Sequence, residues 1–378
     1  MARKRERGNG DGDVWPRKNK KGKTIGCRAS YWVDTPSGPK RRYASGKNKG
    51  ETRVALGKAK AGKEDGFVPD AGATTLGDYL DGWLEDTRGT VRQRTWERYE
   101  QIVRVHIKPT LGRAKLKTLN PAQVRALYRE RLEGGSSPRT VQYVHVTLHK
   151  ALEQAQGDGL VARNAAKGIK APRPRKKEIA PLTPDQARAF LEAARGDRFE
   201  ALFVLALHCG LREGELLGLR WDDVDLEDRT LRVRRTLSET RDGPIFEPPK
   251  NGKGRNVPLT GAAVEALRDH LARQMREIDE GYEDNGLVFA SQTGNTMSAS
   301  NLVNRHFKPL LKRAKLPRIR PHDLRHTCAT LLLIKGVHPK YVQELLGHAN
   351  ISITLDTYSH VIPGMGNQTV AAMEETFT

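Results

Sequence analysis

Cysteine is scarce in this 378-residue chain: Cys27, Cys209 and Cys328 stand far apart, with no C-x-x-C spacing. That excludes a disulfide framework and a zinc-finger ligand set, and it fits a reducing compartment. Long hydrophobic runs are missing as well. No apolar stretch follows the basic N-terminus, as a secretory leader requires, and none approaches the roughly 20 residues that span a bilayer. The expected location is the cytosol or the nucleoid, with no membrane partner. There is no glycine-rich phosphate loop and no carboxylate cluster, which argues against nucleotide-hydrolysing and two-metal chemistry. Acidic residues are in deficit, 45 against 66 Lys and Arg, for a formal net charge of +21. Such a chain suits a polyanion, and nucleic acid is the first candidate.

The positive charge is uneven, since residues 1–60 carry 18 Lys and Arg against 5 Asp and Glu. Residues 1–23 are basic, glycine-rich and nearly free of apolar side chains, so they are expected to be disordered alone. In TIGCRASYWVD, Cys27, Ala29, Tyr31 and Val33 alternate onto one side, and TPSGP turns the chain into KRRYAS. This predicts a small twisted sheet whose other face is basic and carries Trp32. From Thr75 the period becomes helical. Leu76, Tyr79, Leu80, Trp83 and Leu84 form one stripe, and Trp96, Tyr99, Val103 and His106 form a second. A capping residue and a proline, at Asn120-Pro121 and again at Ser137-Pro138, announce two further helices.

Residues 167–181, KGIKAPRPRKKEIAP, have no periodicity and read as a basic interdomain linker lying along phosphates. Thr183-Pro184 caps the next helix, and ALFVLALHCGLREGELLGLRWDDV reads as buried helix broken at Gly210. Arg212 and Glu215 lie three apart after that break. An arginine between two apolar runs needs a strong partner, and a phosphate would serve. TLRVRRTL, PIFEPP and RNVPL read as three short strands joined at Asp242-Gly243 and Asn251-Gly252, with helices expected near 261–278 and 298–314.

The densest chemistry lies between Arg320 and His360. Leu324, Cys328, Leu331 and Leu332 recur at helical spacing up to Gly336, and His322 and Arg325 share one face at the start of that helix. Pro339 opens a second helix, with Val342, Leu345 and Leu346 as its buried stripe and Gly347 as its end. His348 follows directly. Ile351, Leu355 and Tyr358 fit a third, short helical face, although Ile351, Ile353 and Leu355 also fit strand alternation; we read helix. His322 and His326 have the spacing of a metal pair, but no Glu or Cys completes the set. Arginine offers a planar fork for phosphate oxygens, and histidine can move a proton near neutral pH. Tyrosine is a nucleophile only when activated, since at an ordinary pKa near 10 about one molecule in a thousand is phenolate at pH 7. Neighbouring guanidinium groups are expected to lower that pKa, with a nearby histidine taking the proton. Together the four residue types read as phosphoryl transfer to tyrosine.

The order H-x-x-R, then L-G-H, then Tyr resembles the C-terminal motif block of the tyrosine recombinase (phage integrase) family. That resemblance assigns His322, Arg325, His348 and the nucleophile Tyr358. GLREGELLGLRW is similar to the family's first arginine box, which assigns Arg212 with Glu215 as its acidic neighbour. Lys250, eight residues before Pro258, has the spacing of the family's proton-donating lysine, and Lys253 is the competitor. The implied fold is multidomain: a small N-terminal β module, an all-α core-binding bundle and an α+β catalytic domain. The implied boundaries are 1–70 for an arm-type DNA-binding module, 74–166 for the core-binding domain, 167–181 for the linker and 182–378 for the catalytic domain. The implied function is cleavage and rejoining of double-stranded DNA through a 3′-phosphotyrosine, integrating a phage or mobile element into a bacterial chromosome. No cofactor and no metal are implied. The expected partners are core and arm-type DNA sites, a homotetramer on synapsed DNA, and an excisionase or host DNA-bending protein. A type IB topoisomerase shares this chemistry and a DNA-binding regulator could keep the fold; the six intact positions favour an active recombinase.

Overall fold

A capping residue followed by proline starts three helices where the sequence places them. Asn120 Oδ1 accepts from the N–H groups of Ala122 and Gln123, Ser137 Oγ from that of Thr140, and Thr183 Oγ1 from that of Gln186. Pro121, Pro138 and Pro184 fill the first helical position, where an N–H would have no partner within the helix. The computed structural model describes residues 14–18, 23–33, 40–64, 74–174, 181–279, 282–358 and 373–377. Most of the basic N-terminal stretch, residues 175–180 of the expected linker and most of the tail after Tyr358 lie outside the described residues. The chain divides into two units, Met1–Lys176 and Lys177–Thr378.

In the first unit, β1 (Val14–Lys18), β2 (Thr24–Val33) and β3 (Lys40–Gly46) form an antiparallel sheet in that order, followed by α1 (Lys49–Glu64). Strand β1 lies inside the stretch expected to be disordered. Tertiary pairing orders it: Val14 sits opposite Ala29 and packs on the cluster of Ala29, Ala44 and Leu56. Pro16 is tolerated because β1 is an edge strand. Helix α1 has too many lysines and glycines to show an apolar period, and its start is fixed locally instead. Glu51 N–H donates to Asn48 Oδ1 and Lys47 N–H to Glu51 Oε2, both at 2.9 Å. Trp32 and Tyr43 are exposed, and the Arg28 guanidinium stacks on Tyr43 at 4.1 Å.

Five helices then close over one core: α2 (Leu76–Thr87), α3 (Gln93–Ile102), α4 (Lys108–Leu111), α5 (Pro121–Glu133) and α6 (Pro138–Gly157). A widened π turn, Val103–Ile107, joins α3 to α4. It ends just before Pro109, whose ring would otherwise meet the carbonyl four residues back.

The second unit begins with α7 (Pro184–Ala194), α8 (Glu200–His208) and α9 (Glu213–Leu217). Strands β4 (Val224–Asp225), β5 (Thr230–Val233), β6 (Thr236–Thr240), β7 (Gly243–Glu247) and β8 (Arg255–Pro258) follow. They make a three-stranded sheet, β4-β5-β8, and a separate hairpin, β6-β7. TLRVRRTL is therefore two strands in two sheets, not the single strand expected. Arg234 and Arg235 both reach the buried Asp223 carboxylate, at 3.4 and 3.3 Å, and this draws the chain out of line between Val233 and Thr236.

Helix α10 (Gly261–Asp279) packs on α8. After it, α11 (Ala299–Asn301) and α12 (Lys308–Arg313) are joined by a second π turn, Leu302–Phe307, again just before a proline, Pro309. The last helices are α13 (Pro321–Ile334), α14 (Pro339–Leu346) and α15 (Ile351–Tyr358). Helix α15 forms as read, but its buried positions are Thr354 and Tyr358, with Leu355 exposed. Residues 373–377 form a helical turn with Met373 and Phe377 exposed. The fold class is the expected one, a β module, a helical bundle and an α+β domain.

Candidate active site

Helix α14 ends because Gly347 adopts φ +63°, a left-handed conformation that costs glycine least. The last carbonyls of the helix are left without intrahelical partners, and three arginines take three successive ones. Leu345 O accepts from Arg255 Nε at 2.9 Å, Leu346 O from Arg325 Nη2 at 2.6 Å, and Gly347 O from Arg212 Nη2 at 3.2 Å. A helix C-terminus carries partial negative charge, so it is a suitable anchor for cations. His348 comes next in the chain and thus emerges beside all three guanidinium groups.

Each arginine is fixed a second time. Arg212 precedes α9, and its Nη1 donates to Glu215 Oε1 at 2.6 Å while its backbone N–H donates to Oε2 at 2.9 Å. Arg255 donates to the same two oxygens, at 3.0 and 2.7 Å. Burial alone would raise the Glu215 carboxyl, but the hydrogen bonds and charge of Arg255, with Arg212, hold it down at about 2. The partner that the sequence leaves open for Arg212 is thus supplied from within the protein. Arg325, only 2% exposed, donates from Nη1 to Gly210 O at 2.6 Å. Burial, then the charges of Arg212 and Arg255, pull it down to about 9, so it is still a cation at neutral pH. Gly210 is required here, since its φ is +60° and a Cβ would lie 2.6 Å from a Leu346 methyl.

The histidines are neutral. His348 Nδ1 lies 2.9 Å from Thr354 Oγ1, and removal from water, then Arg325 and Arg212, lower its pKa to about 4. His322 sits at the rim of the site. The part of its ring that is withdrawn from solvent, then His326, Arg325 and Arg212, bring it also to about 4. Tyr358 is 1% exposed, and its hydroxyl lies 2.6 Å from His326 Nδ1. Its pKa moves opposite to the sequence expectation: burial raises it to about 12 and outweighs the lowering by Arg325. Lys250 is exposed in the turn after β7, and its ammonium has no hydrogen bond or ion pair among the described residues. Lys253 instead lines a groove of about 700 Å³ together with Arg255, Gly347 and His348.

Three guanidinium groups, two neutral imidazoles and a phenol gathered in one place can bind a phosphate oxygen and move a proton. Residues 181–364 match the phage integrase family, and residues 75–132 match the phage integrase N-terminal SAM-like domain. A tyrosine recombinase XerC-like protein of Caldanaerobacter subterraneus subsp. tengcongensis is 33% identical over 366 residues, covering 89% of this chain and 92% of the relative. The chain belongs to the tyrosine recombinase (phage integrase) family. An integrase of Streptomyces ambofaciens is 30% identical to this recombinase, covering 95% of it and 94% of the relative. Among solved structures, the Tn1549 transposon integrase in complex with a circular intermediate DNA superposes with a TM-score of 0.68 at 25% identity. That match covers 80% of the recombinase and all of the neighbour.

Of the positions expected in the recombinase, Arg212, Glu215, Arg325 and His348 are joined through α14 and the Glu215 carboxylate, and Tyr358 joins α13 through His326. His322 stacks edge-on against His326, with ring centroids 4.9 Å apart. Lys250 is tied to none of them. Sequence reasoning misses two contributors, Arg255 and His326. Arg255 has the same strand parity as the buried Val257, so β8 turns both inward. His326 is one helical turn beyond His322, a spacing noticed only as a metal pair. Among the described residues of the recombinase, no helix is long and apolar enough to cross a membrane.

Proposed function

We propose that this tyrosine recombinase integrates a phage or other mobile element into a bacterial chromosome, with Tyr358 as the nucleophile. The observation that supports it best is the convergence of Arg212 and Arg325 on the end of α14, beside His348. Tyr358 Oη attacks the scissile phosphorus and forms a 3′-phosphotyrosine. Arg212, Arg325 and His348 hold the non-bridging oxygens and stabilise the charge developing there. Lys250 protonates the departing 5′-oxygen, His322 assists proton transfer, and Glu215 fixes the first arginine. Because the covalent link stores the bond, the 5′-hydroxyl of a partner strand reverses the step without ATP. Lys253 is a second candidate for the acid, because it lines the groove that also reaches His348.

In this reading, residues 1–70 bind arm-type DNA, 74–166 grip the crossover site, 167–181 lie along phosphates and 182–378 carry the chemistry. The exposed Trp32 and Tyr43 and the Arg28 stack on the N-terminal sheet favour the first assignment. The working form is a homotetramer on two synapsed duplexes, assisted by an excisionase or host DNA-bending protein, in the nucleoid. A suicide duplex carrying the crossover site, recovered from DNA flanking the gene, tests the function. Strand exchange is expected; relaxation without exchange would indicate a topoisomerase, and binding without a covalent adduct would indicate a regulator.

A further inference from the structure

The Tyr358 hydroxyl has one polar side-chain partner among the described residues, and it is His326, at 2.6 Å. The two rings lie 5.7 Å apart, with Tyr358 packed against Ala329, Leu333, Val342 and Leu346. Burial keeps the phenol protonated far above neutral pH, so attack needs a base in contact with it. His326 is available for that role. Partial burial leads the lowering of its pKa, so the ring is neutral at pH 7 with a free lone pair on Nδ1 when the proton is on Nε2. The charged and titratable groups around it are Asp323, Arg325 and His322 on its own helix, Arg320 at the helix start, His348 after α14 and Tyr358 on α15. Asp323, which would draw a proton towards the ring, is itself held by Arg320 at 2.7 Å. The other two histidines are placed differently. His348 Nδ1 is engaged by Thr354, and His322 meets the His326 ring rather than the phenol.

We propose that His326 is the catalytic base that takes the proton of Tyr358. This rests on the recombinase reading above and assigns one step within it. As Oη bonds to phosphorus, the O–H bond breaks and its proton passes to Nδ1, making His326 an imidazolium. The bond from phosphorus to the 5′-oxygen breaks with its electron pair going to that oxygen, which is protonated by the lysine acid. In rejoining, the incoming 5′-hydroxyl gives its proton back to the now neutral lysine as its oxygen attacks the phosphotyrosine. The phenolate leaves and recovers its proton from His326. His322, edge-on against the His326 ring, holds that ring in register with Oη.

The test is single-turnover formation of the Tyr358 adduct on two versions of the crossover duplex from DNA flanking the gene. One has an ordinary 5′-oxygen and the other a 5′-bridging sulfur, which leaves without an acid. His326→Ala and His326→Asn are compared with wild type, with duplex affinity measured alongside. The asparagine variant keeps a polar group of similar reach, so it carries the test if alanine disturbs the packing of α15. Both variants are expected to slow adduct formation about 10²-fold or more at pH 7 on both duplexes, with affinity within a few-fold of wild type. Their deficit should shrink steadily as pH rises, because hydroxide then replaces the missing base, while wild type shows an inflection and a plateau. His322→Ala should keep that inflection even where its rate falls. A deficit that sulfur repairs, one that is the same at every pH, or a rate within a few-fold of wild type would each overturn the assignment. Absence of a Tyr358 adduct from the wild-type protein would instead overturn the recombinase reading itself.

Discussion

Arg255 clasps Glu215 with both terminal nitrogens, at 3.0 and 2.7 Å, while its Nε holds the Leu345 carbonyl. Glu215 in turn holds Arg212, so one buried carboxylate joins β8, α9 and the end of α14. Removing Arg255 leaves the buried carboxylate with Arg212 alone, so the cost is expected at about 3 kcal/mol, the low end for a broken buried pair. Arg255→Met should therefore lower the Tm of the protein by roughly 10 °C, at about 2–4 °C per kcal/mol for a domain of this size. Thermal denaturation followed by circular dichroism measures it, and an unchanged Tm would show that Arg255 is not the keystone described here.

Acid should unfold the second unit in two stages. His322 and His348 have folded-state pKa values of about 4, below the ordinary 6.5, so the unfolded chain takes up their protons first. Stability then falls as pH drops from 6.5 towards 4. Glu215, held at about 2 against 4.5, contributes fully above pH 4.5 and loses its share as pH falls towards 2, on the order of 3 kcal/mol. Urea unfolding at pH 7.5, 6, 5 and 4 should show the first stage, and His348→Gln should make it shallower. A flat profile from 7.5 to 4.5 would contradict the depressed histidines.

The helix starts and stops of this chain are legible because they depend on single local residues: Asn120, Ser137 and Thr183 before prolines, and Gly347 at a left-handed turn. Arg212, Glu215, Arg325 and His348 are legible from their motifs. What the sequence hides is decided by tertiary contact. Strand β1 needs β2 to order it, and TLRVRRTL needs Asp223 to break it. On α15 Thr354 rather than Leu355 is the inward residue, and its hydroxyl meets His348 Nδ1, a tertiary contact that apolar periodicity does not register. The spacing of Arg255 and His326 puts each on an inward face, but only Glu215 with the end of α14, and the phenol of Tyr358, show what each one holds.

The two lysines can be separated by leaving-group chemistry. Lys250→Ala should slow cleavage at an ordinary 5′-oxygen by roughly 10²–10⁴-fold, and a 5′-bridging sulfur should restore most of the rate. If Lys253→Ala is the variant that sulfur rescues, the groove beside His348 holds the acid and the roles are exchanged.

Deleting residues 1–70 should leave cleavage of short crossover duplexes intact and remove a second, distinct footprint. Binding by that module should weaken steeply with salt if, as proposed, its contacts are mainly to phosphates. Coincident footprints of intact and truncated protein would refute the division of labour.

Everything proposed for this site requires the phenol of Tyr358 to become covalently attached to DNA. Trapping the protein on a suicide duplex, digesting it and sequencing the nucleotide-bearing peptide by mass spectrometry locates the attachment. A nucleotide is expected on Tyr358 and none in Tyr358→Phe, whose duplex affinity stays within a few-fold of wild type. An adduct that persists in Tyr358→Phe, or one that maps to the exposed Tyr341, would contradict it.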